Sequence, residues 1–195
     1  MEVAEFQGQQ IEPLLPELAR LRITIFREFP YLYDGDLDYE MRYLQTLVAS
    51  PRSTLVLVRD QGAVVGASTA LPLADEEEDF RRPFLAAGLD PGHFYYFGES
   101  LLLISHRGRG LGHEFFDRRE AAARRHGFAR TCFCAVVRPQ DHPRRPSDYR
   151  SLEPFWEGRG YRAEPGLATE YRWQDLDESQ ESPKPMQFWL RHLDR

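Results

Sequence analysis

A glycine-rich turn is the part of the sequence best suited to chemistry. Gly108, Gly110 and Gly112 follow an apolar stretch and open a segment with helical periodicity. The first N–H groups of a helix have no partner within the helix and lie at the positive end of its dipole, so they attract anions. Glycine lets phosphate oxygens come close to those N–H groups. The turn therefore predicts a site for a phosphate-bearing ligand.

The spacing of the glycines excludes two common phosphate-binding motifs. A dinucleotide fingerprint needs glycine at its first, third and sixth positions, but the sixth position counted from Gly108 is His113. A Walker loop ends in Gly-Lys-Ser/Thr, and this region contains no lysine. The pattern that fits is Arg107-x-x-Gly110-x-Gly112 after an apolar strand. It resembles the pyrophosphate-binding motif of the GNAT superfamily of N-acetyltransferases.

The resemblance extends beyond the glycines, over about residues 11 to 173. A buried strand, an amphipathic helix and a second buried strand follow one another in the family's order, and Gly160-Tyr161 is similar to the family's later Gly-Phe pair. The resemblance implies acetyl-CoA as co-substrate, and the absence of metal-ligand spacing in the sequence leads us to expect no metal. The resemblance assigns the pantetheine arm to backbone groups of Leu101, Leu102 and Leu103. It assigns pyrophosphate binding to the residues of the turn, which are Arg107, Gly108, Arg109, Gly110, Leu111 and Gly112.

Glu99 is the candidate catalytic base. It lies within an otherwise apolar strand, and many members of the family carry a glutamate near this point. A carboxylate among Phe97, Leu101 and Leu103 is partly desolvated, which makes it a better proton acceptor near neutral pH. The resemblance thus implies that Glu99 deprotonates the incoming ammonium, directly or through water. The structural alternative is a carboxylate paired with Arg130 or Arg138.

The sequence gives a weaker indication of the residue that protonates the departing thiolate of coenzyme A. Family members often use a tyrosine four residues before the glycine of the Gly-Phe pair, but that position holds Trp156. An indole N–H donates a hydrogen bond and is not a practical proton source. Tyr149 is the nearest substitute in the sequence, followed by Tyr161. Trp156 itself is expected to pack in the core.

The acceptor is expected to bind at the loop between the first two helices, by analogy with the family. Tyr31, Tyr33 and Asp34 lie in this loop, where aromatic faces and carboxylates suit a cationic amine. An acidic run at 75–79 adds to this character. The arginines of 138–150 are equally suited to an acidic acceptor or to the 3′-phosphate of coenzyme A.

Hydrophobic periodicity predicts the elements that position these residues. Helices are predicted at 11–29, 38–49, 80–89, 111–126 and 152–159, and strands at 54–59, 63–71, 93–104, 129–137, 169–173 and 186–190. A short break at 60–62 predicts an antiparallel hairpin. We expect an α/β fold in a single domain over 1–195, with its core at 11–173. The resemblance implies a central mixed, mostly antiparallel sheet with two splayed parallel strands, flanked by helices.

Composition narrows the class of protein. The 195 residues carry a formal charge of −6, which disfavours nucleic acid as a partner because phosphate binding needs a basic field. Neither a membrane span nor a signal peptide is evident, so a cytoplasmic protein is expected. Cys132 and Cys134 are predicted to be reduced core residues. His106 and His113 flank the turn, but no metal-ligand spacing accompanies them.

These features predict an acyltransferase that moves acetyl from acetyl-CoA to a small-molecule primary amine by direct attack in a ternary complex. Two alternatives remain open at this point: a protein or peptide N-acetyltransferase, and a non-catalytic acyl-CoA sensor. The apolar segment 188–190 is compatible with pairing or packing across a homodimer.

Overall fold

The computed structural model describes residues 1–194, and its centre is one seven-stranded sheet in the order β1-β2-β3-β4-β5-β7-β6. The strands are β1 (Glu2–Phe6), β2 (Thr54–Asp60), β3 (Ala63–Pro72), β4 (Phe94–Leu102), β5 (Arg130–Val136), β6 (Arg162–Trp173) and β7 (Ser182–His192). All neighbouring strands are antiparallel except β4 and β5, which are parallel. The predicted fold class and the β2–β3 hairpin are therefore confirmed.

Six α-helices flank the sheet in residues 1–194. They are α1 (Leu15–Phe26), α2 (Leu37–Tyr43), α3 (Gln45–Ala49), α4 (Glu78–Ala86), α5 (Leu111–Arg125) and α6 (Glu153–Gly158). The predicted first helix starts later than expected, since Gly8–Leu14 is a 3₁₀ helix that contains Pro13. Pro16 lies in the first turn of α1, where its missing N–H costs no hydrogen bond. The predicted second helix is two short helices that meet at Leu44.

The two faces of the sheet carry different helices. Leu55 and Leu57 pack with residues of α1, whereas Val56 and Val58 pack with Leu111 and Phe115 of α5. Alternate residues of a strand point to opposite faces, so β2 is buried on both sides. We call the side covered by α1 the acceptor face and the side covered by α5 the helix-five face.

The parallel pair opens into a cleft. β4 and β5 pair at three positions only, from Phe94 with Arg130 to Tyr96 with Cys132, although β4 continues to Leu102. Beyond Tyr96 the two strands have no ladder hydrogen bonds to each other. This opening is the splay that the family resemblance implies, and the glycine turn lies just past the free end of β4.

The final strand is longer than predicted and occupies an interior position. β7 pairs with β5 on one edge and with β6 on the other. Phe188 and Trp189 are buried within the protein. The expectation that this segment pairs edge to edge across a homodimer is therefore wrong, because neither edge of β7 is free. A homodimer itself stays a prediction. β1 was not predicted; it forms one edge of the sheet beside β2.

Two further sequence predictions concern cysteines and membranes. Cys132 and Cys134 are both free, buried and in the core cluster of the acceptor face, which confirms that they share one side of a strand. Within residues 1–194, no helix has the length and apolarity needed to cross a bilayer.

Candidate active site

A bulge in β4 determines where Glu99 points. Ser68 of β3 pairs with Ser100 and Ala70 pairs with Phe97, so Gly98 and Glu99 together face the single residue Thr69. The Thr69 hydroxyl accepts a hydrogen bond from the Glu99 N–H at 3.1 Å. A Cβ atom on Gly98 would lie 2.6 Å from that same hydroxyl oxygen. The close approach explains why glycine occupies position 98.

The extra residue in the bulge moves Glu99 to the acceptor face. Phe97 packs on the helix-five face with Phe116, whereas Leu101 packs on the acceptor face with α1. One inserted residue reverses the alternation of side chains. Phe97 is therefore not a neighbour of Glu99 as the sequence suggested, because strict alternation does not hold through a bulge.

Arg22 of α1 is the ion-pair partner of Glu99. Its Nη1 contacts Oε1 of Glu99, and its Nε contacts Oε2 of Glu40, which lies on α2. The side chains of Arg22 and Glu99 are each 8% exposed, and that of Glu40 is fully buried. Arg130 and Arg138, the partners considered from the sequence, lie elsewhere: Arg130 over the Phe94 ring, Arg138 on Asp175. We call Arg22, Glu40 and Glu99 the carboxylate triad.

Arg119 of α5 holds the bulge from the opposite face. It donates to the Glu99 carbonyl at 2.9 Å and to the Ser100 hydroxyl at 2.8 Å, and it lies against the rings of Phe97 and Phe116. Burial lowers the pKa of Arg119 to about 9, so it remains cationic at neutral pH. The backbone that carries Glu99 is thus fixed by a buried hydrogen-bond donor.

Leu102 presents its backbone to the cleft. The Leu103 N–H donates to the Val65 carbonyl on β3 at 3.0 Å. Adjacent residues of a strand direct their N–H and C=O groups to opposite edges. Those of Leu102 therefore point away from β3. Its carbonyl accepts a hydrogen bond from Nε of Arg107 at 3.0 Å, and Arg107 also pairs with Glu28 at 2.7 Å.

The glycine turn has a left-handed backbone at two of its glycines and leaves the first N–H groups of α5 without helical acceptors. Gly108 and Gly110 have φ of 73° and 83°, in the left-handed region that favours glycine. The Glu114 N–H makes the first backbone hydrogen bond of α5, to Gly110, at 3.2 Å. The N–H groups of Leu111, Gly112 and His113 therefore have no acceptor within the helix. Arg109 donates to the Ser105 carbonyl and lies at the protein surface.

The three loop residues predicted for the acceptor separate into different environments. Tyr33 lies beside Glu40, and burial together with that carboxylate raises the pKa of the Tyr33 hydroxyl. The Tyr31 ring packs at a tilt against Phe26, and burial raises the pKa of Tyr31 as well. Asp34 is half-exposed and pairs with Arg27. Only Tyr33 is therefore next to the carboxylate triad.

The aromatic residues considered for protonating the thiolate also differ in position. Tyr149 packs edge-on against Phe29 at 4.7 Å and is half-buried, and desolvation raises its pKa. Tyr161 is fully buried on the helix-five face, where its hydroxyl contacts Thr131 and Glu120. Trp156 packs edge-on against the rings of Phe133 and Trp189.

Other reactive groups take structural roles. The Cys134 thiol contacts the Tyr96 hydroxyl at 3.2 Å, and burial raises the pKa of that thiol to about 12. A thiol with this pKa is a poor nucleophile at neutral pH. His106 contacts Asp60 at 3.1 Å, and His113 contacts Arg159. Across residues 1–194, no three His, Cys, Asp or Glu side chains are grouped as metal ligands.

Sequence reasoning missed Arg22 and Glu40. A signal for Arg22 was present, since it lies four residues after Leu18 and three before Ile25, on the apolar stripe of α1. A charged residue on such a stripe must find a buried partner. Nothing in the sequence indicated which partner, because Glu40 and Glu99 are brought to α1 only by the tertiary fold.

A comparison with models of protein families identifies the family of this chain. The family model described as the acetyltransferase (GNAT) family matches residues 18–146, which include the carboxylate triad and the glycine turn. The chain belongs to the GNAT acetyltransferase family. It is therefore an acyltransferase. No match was found among curated protein sequences.

Solved structures of other GNAT proteins share the fold. One is a ribosomal-protein-alanine N-acetyltransferase from Brucella melitensis, with a TM-score of 0.61, 14% identity and coverage of 99% of this chain and 100% of that one. A Drosophila melanogaster polyamine N-acetyltransferase has a TM-score of 0.59, 15% identity and coverage of 98% and 100%. An aminoglycoside 6′-N-acetyltransferase complexed with coenzyme A has a TM-score of 0.58 and 14% identity. The match covers 100% of this chain and 98% of that one.

Proposed function

We propose that this GNAT acetyltransferase transfers the acetyl group of acetyl-CoA to a primary amine of a small molecule, by direct attack in a ternary complex. The observation that carries the proposal is the buried carboxylate of Glu99 on the acceptor face, on the strand whose end leads into the glycine turn and its free amides. One neighbour is a coenzyme A complex, and two are named for polyamine and aminoglycoside acceptors, which supports both halves of the proposal.

The coenzyme would lie along the open edge of β4. Its diphosphate would accept hydrogen bonds from the N–H groups of Leu111 and Gly112, with Gly108 and Gly110 giving access. Arg107 and Arg109 supply positive charge at the same turn. The pantetheine arm would pair with Leu102 and neighbouring Leu101 and Leu103. Arg107 must release the Leu102 carbonyl for this pairing, and the phosphates offer its guanidinium a stronger partner than a neutral carbonyl.

Catalysis then follows from the positions of three groups. Glu99 accepts a proton from the acceptor ammonium, directly or through a water, and the free amine attacks the thioester carbonyl. The Leu102 N–H faces the cleft and is placed to stabilise the resulting oxyanion. The tetrahedral intermediate then collapses: the C–S bond breaks, the acetyl group stays on the nitrogen, the nitrogen loses its second proton, and the thiolate takes up a proton. We assign the proton that the thiolate takes up to Tyr149, which requires the loop at 137–151 to close toward the cleft. The proton released by the nitrogen restores the tyrosine through solvent.

The residues expected to contact the acceptor are Tyr31, Tyr33 and Asp34. Tyr33 is next to the carboxylate triad, and Tyr31 and Asp34 lie in the loop between α1 and α2, from which the acceptor would approach. Three carboxylates of this region, those of Glu40, Glu77 and Glu99, belong to the surroundings of Arg22 or of the tyrosines beside it. The local charge suits a cationic acceptor.

The substitution Glu99→Gln tests the role of Glu99 as proton acceptor. The substitution removes the proton acceptor but keeps the shape of the side chain, so turnover should fall at least about tenfold. Coenzyme binding should be unchanged, because the glycine turn is untouched. The measurement is thiol release from acetyl-CoA with a panel of amines, together with calorimetry of coenzyme A binding. Glu17→Gln on the outer side of α1 serves as the control.

Three outcomes would contradict the proposal in different ways. Equal turnover in the variant would remove Glu99 from the mechanism. Coenzyme binding without thiol release above background would indicate a sensor domain. Acetylation of peptide N-termini or lysines in preference to free amines would indicate a protein acceptor, as in the neighbour named for ribosomal protein alanine.

A further inference from the structure

The loop between α1 and α2, residues 27–36, contains a backbone conformation that is costly for its residue type. We call this segment the acceptor loop. Leu32 near its centre has φ of 56°, in the left-handed region that residues with a side chain seldom adopt, and the leucine side chain is buried. Such a conformation persists only where the surrounding structure fixes it. Contacts from outside the acceptor loop must therefore hold Leu32 and its neighbours.

Arg138 lies just beyond the end of β5 and binds the backbone of the acceptor loop. Its Nε donates to the Pro30 carbonyl at 2.7 Å, and its Nη2 donates to the Tyr31 carbonyl at 2.8 Å. Nη1 and Nη2 also donate to the two carboxylate oxygens of Asp175, each at 2.8 Å. The side chain of Arg138 is 9% exposed. A planar guanidinium can serve a carboxylate and two carbonyls at once, which an ammonium cannot match.

The hairpin between β6 and β7 holds Asp175 in place and binds the acceptor loop itself. Asp175 pairs with Lys184 at 3.6 Å, and Lys184 pairs with Glu178 at 2.7 Å. The Leu176 N–H donates to the Leu32 carbonyl at 2.7 Å. With the guanidinium included, this cluster has two cations and two anions, so its charges balance. The cluster is therefore suited to anchoring a loop rather than to binding a charged substrate.

We propose that Arg138 is a positioning residue of the acceptor site, which holds the acceptor loop so that Tyr33 stays beside Glu40. The inference rests on the proposed function and adds a residue that acts through the loop backbone. Tyr33 directly follows Leu32, so the direction of its side chain depends on the backbone that Arg138 fixes. Loss of Arg138 would let Leu32 leave its left-handed conformation and Tyr33 move away from the carboxylate triad. The glycine turn follows the other strand of the cleft and would keep its conformation.

A cavity beside Arg138 allows the proposal to be tested by chemical rescue. The cavity has a volume of about 430 Å³ and is lined by Arg138, Asp175 and Lys184, with Pro183 and Pro185 at its exposed rim. A small guanidinium ion can therefore reach the position of the arginine head group when the side chain is removed. In Arg138→Ala, methylguanidinium would meet the Asp175 carboxylate and two loop carbonyls that have lost their donor.

Steady-state kinetics with the best amine of the panel test the role of Arg138. In Arg138→Ala the KM for the amine should rise at least about tenfold while kcat changes little, because acceptor binding rather than the chemical step is weakened. Calorimetry should give an unchanged Kd for coenzyme A. Methylguanidinium, at concentrations that do not unfold the protein, should lower the raised KM. Arg172→Ala is the matched control, since Arg172 is exposed on β6 and donates to the Glu181 carbonyl, and its kinetics should equal those of the parent.

Hydrogen exchange follows the acceptor loop without any turnover. The Leu176 amide should exchange at least about tenfold faster in Arg138→Ala, whereas the Glu114 amide at the start of α5 should not change. If Arg138→Ala does not fold, judged by its thermal unfolding, Asp175→Asn replaces it in the kinetics and in the exchange measurement, because it weakens the same fork while keeping its shape.

The outcomes separate this inference from the proposed function. A KM equal to that of the parent, a raised KM that methylguanidinium does not lower, a parallel loss of coenzyme binding, or unchanged exchange at Leu176 overturns the role of Arg138. If no amine is acetylated, the proposed function fails, and faster exchange at Leu176 still supports the anchoring of the loop by Arg138.

Discussion

Glu76 is a residue whose burial has a measurable energetic consequence. It is 8% exposed and accepts a hydrogen bond from the Glu77 N–H at 3.0 Å. Desolvation raises its pKa to about 7 from an ordinary value of 4.5. Between these two pH values the folded protein holds a proton that the unfolded chain releases. The free energy of unfolding therefore falls as the pH rises through this window.

The substitution Glu76→Gln should remove this pH dependence. The variant gains up to about 3 kcal/mol over the parent between pH 4.5 and 7, because a neutral amide has no proton to lose. Urea unfolding at pH 5 and at pH 8 measures the difference. Glu181→Gln, at an exposed position, is the matched control and should change neither value. A parallel shift at both pH values would mean that Glu76 is ionised throughout.

At the scale of the element, the bulge in β4 is the feature on which the site depends. Thr69, Gly98 and Arg119 fix it from three directions, and it alone turns Glu99 toward α1. A regular strand at this point would place the carboxylate on the helix-five face with Phe97. The chemistry of the site is therefore set by a backbone irregularity as much as by a side chain.

Gly98→Ala should test the bulge directly. The added methyl group meets the Thr69 hydroxyl at 2.6 Å, which forces a shift costing about 1–3 kcal/mol of unfolding free energy. Activity should fall further than stability alone explains, because Glu99 moves with the backbone. Gly158→Ala is the control, since nothing lies within 4 Å of its added Cβ. Denaturant unfolding and thiol release give the two values, and an unperturbed Gly98→Ala would show that the bulge tolerates a side chain.

At the scale of the whole molecule, the order of strands binds the two ends of the chain into one sheet. β1 lies at one edge, and β7 lies between β5 and β6 near the other. The last strand therefore joins β6 to the rest of the sheet, and we propose that residues 1–194 behave as one domain. If the chain were divided into two domains, strands of each would lose neighbours with which they pair in this sheet.

Thermal or urea unfolding should consequently show one cooperative transition. Tryptophan fluorescence reports on Trp156, Trp173 and Trp189, which belong to both faces of the sheet, and circular dichroism reports on the helices. Their midpoints should coincide. Ending the chain before Ser182 should abolish this transition, because β5 and β6 then lose the strand that joins them. Two separate midpoints in the full chain would contradict a single domain.

The sequence by itself determined the order of the major elements and the position and conformation of the glycine turn. Each of these follows from local information: the period of apolar residues, and glycines whose backbone freedom is needed at Gly108 and Gly110. Helix α5 and the hairpin of β2 and β3 were predicted within a residue or two for the same reason.

The tertiary structure alone decided which residues surround Glu99. Its direction depends on a bulge that the residue pattern does not reveal, and its partner Arg22 comes from a helix far away in the sequence. The place of β7 between β5 and β6 likewise depends on strand pairing rather than on local preference. Contacts between distant segments are set by how the whole chain packs, because each residue pattern is compatible with several partners until all buried charges and strand edges must be satisfied together.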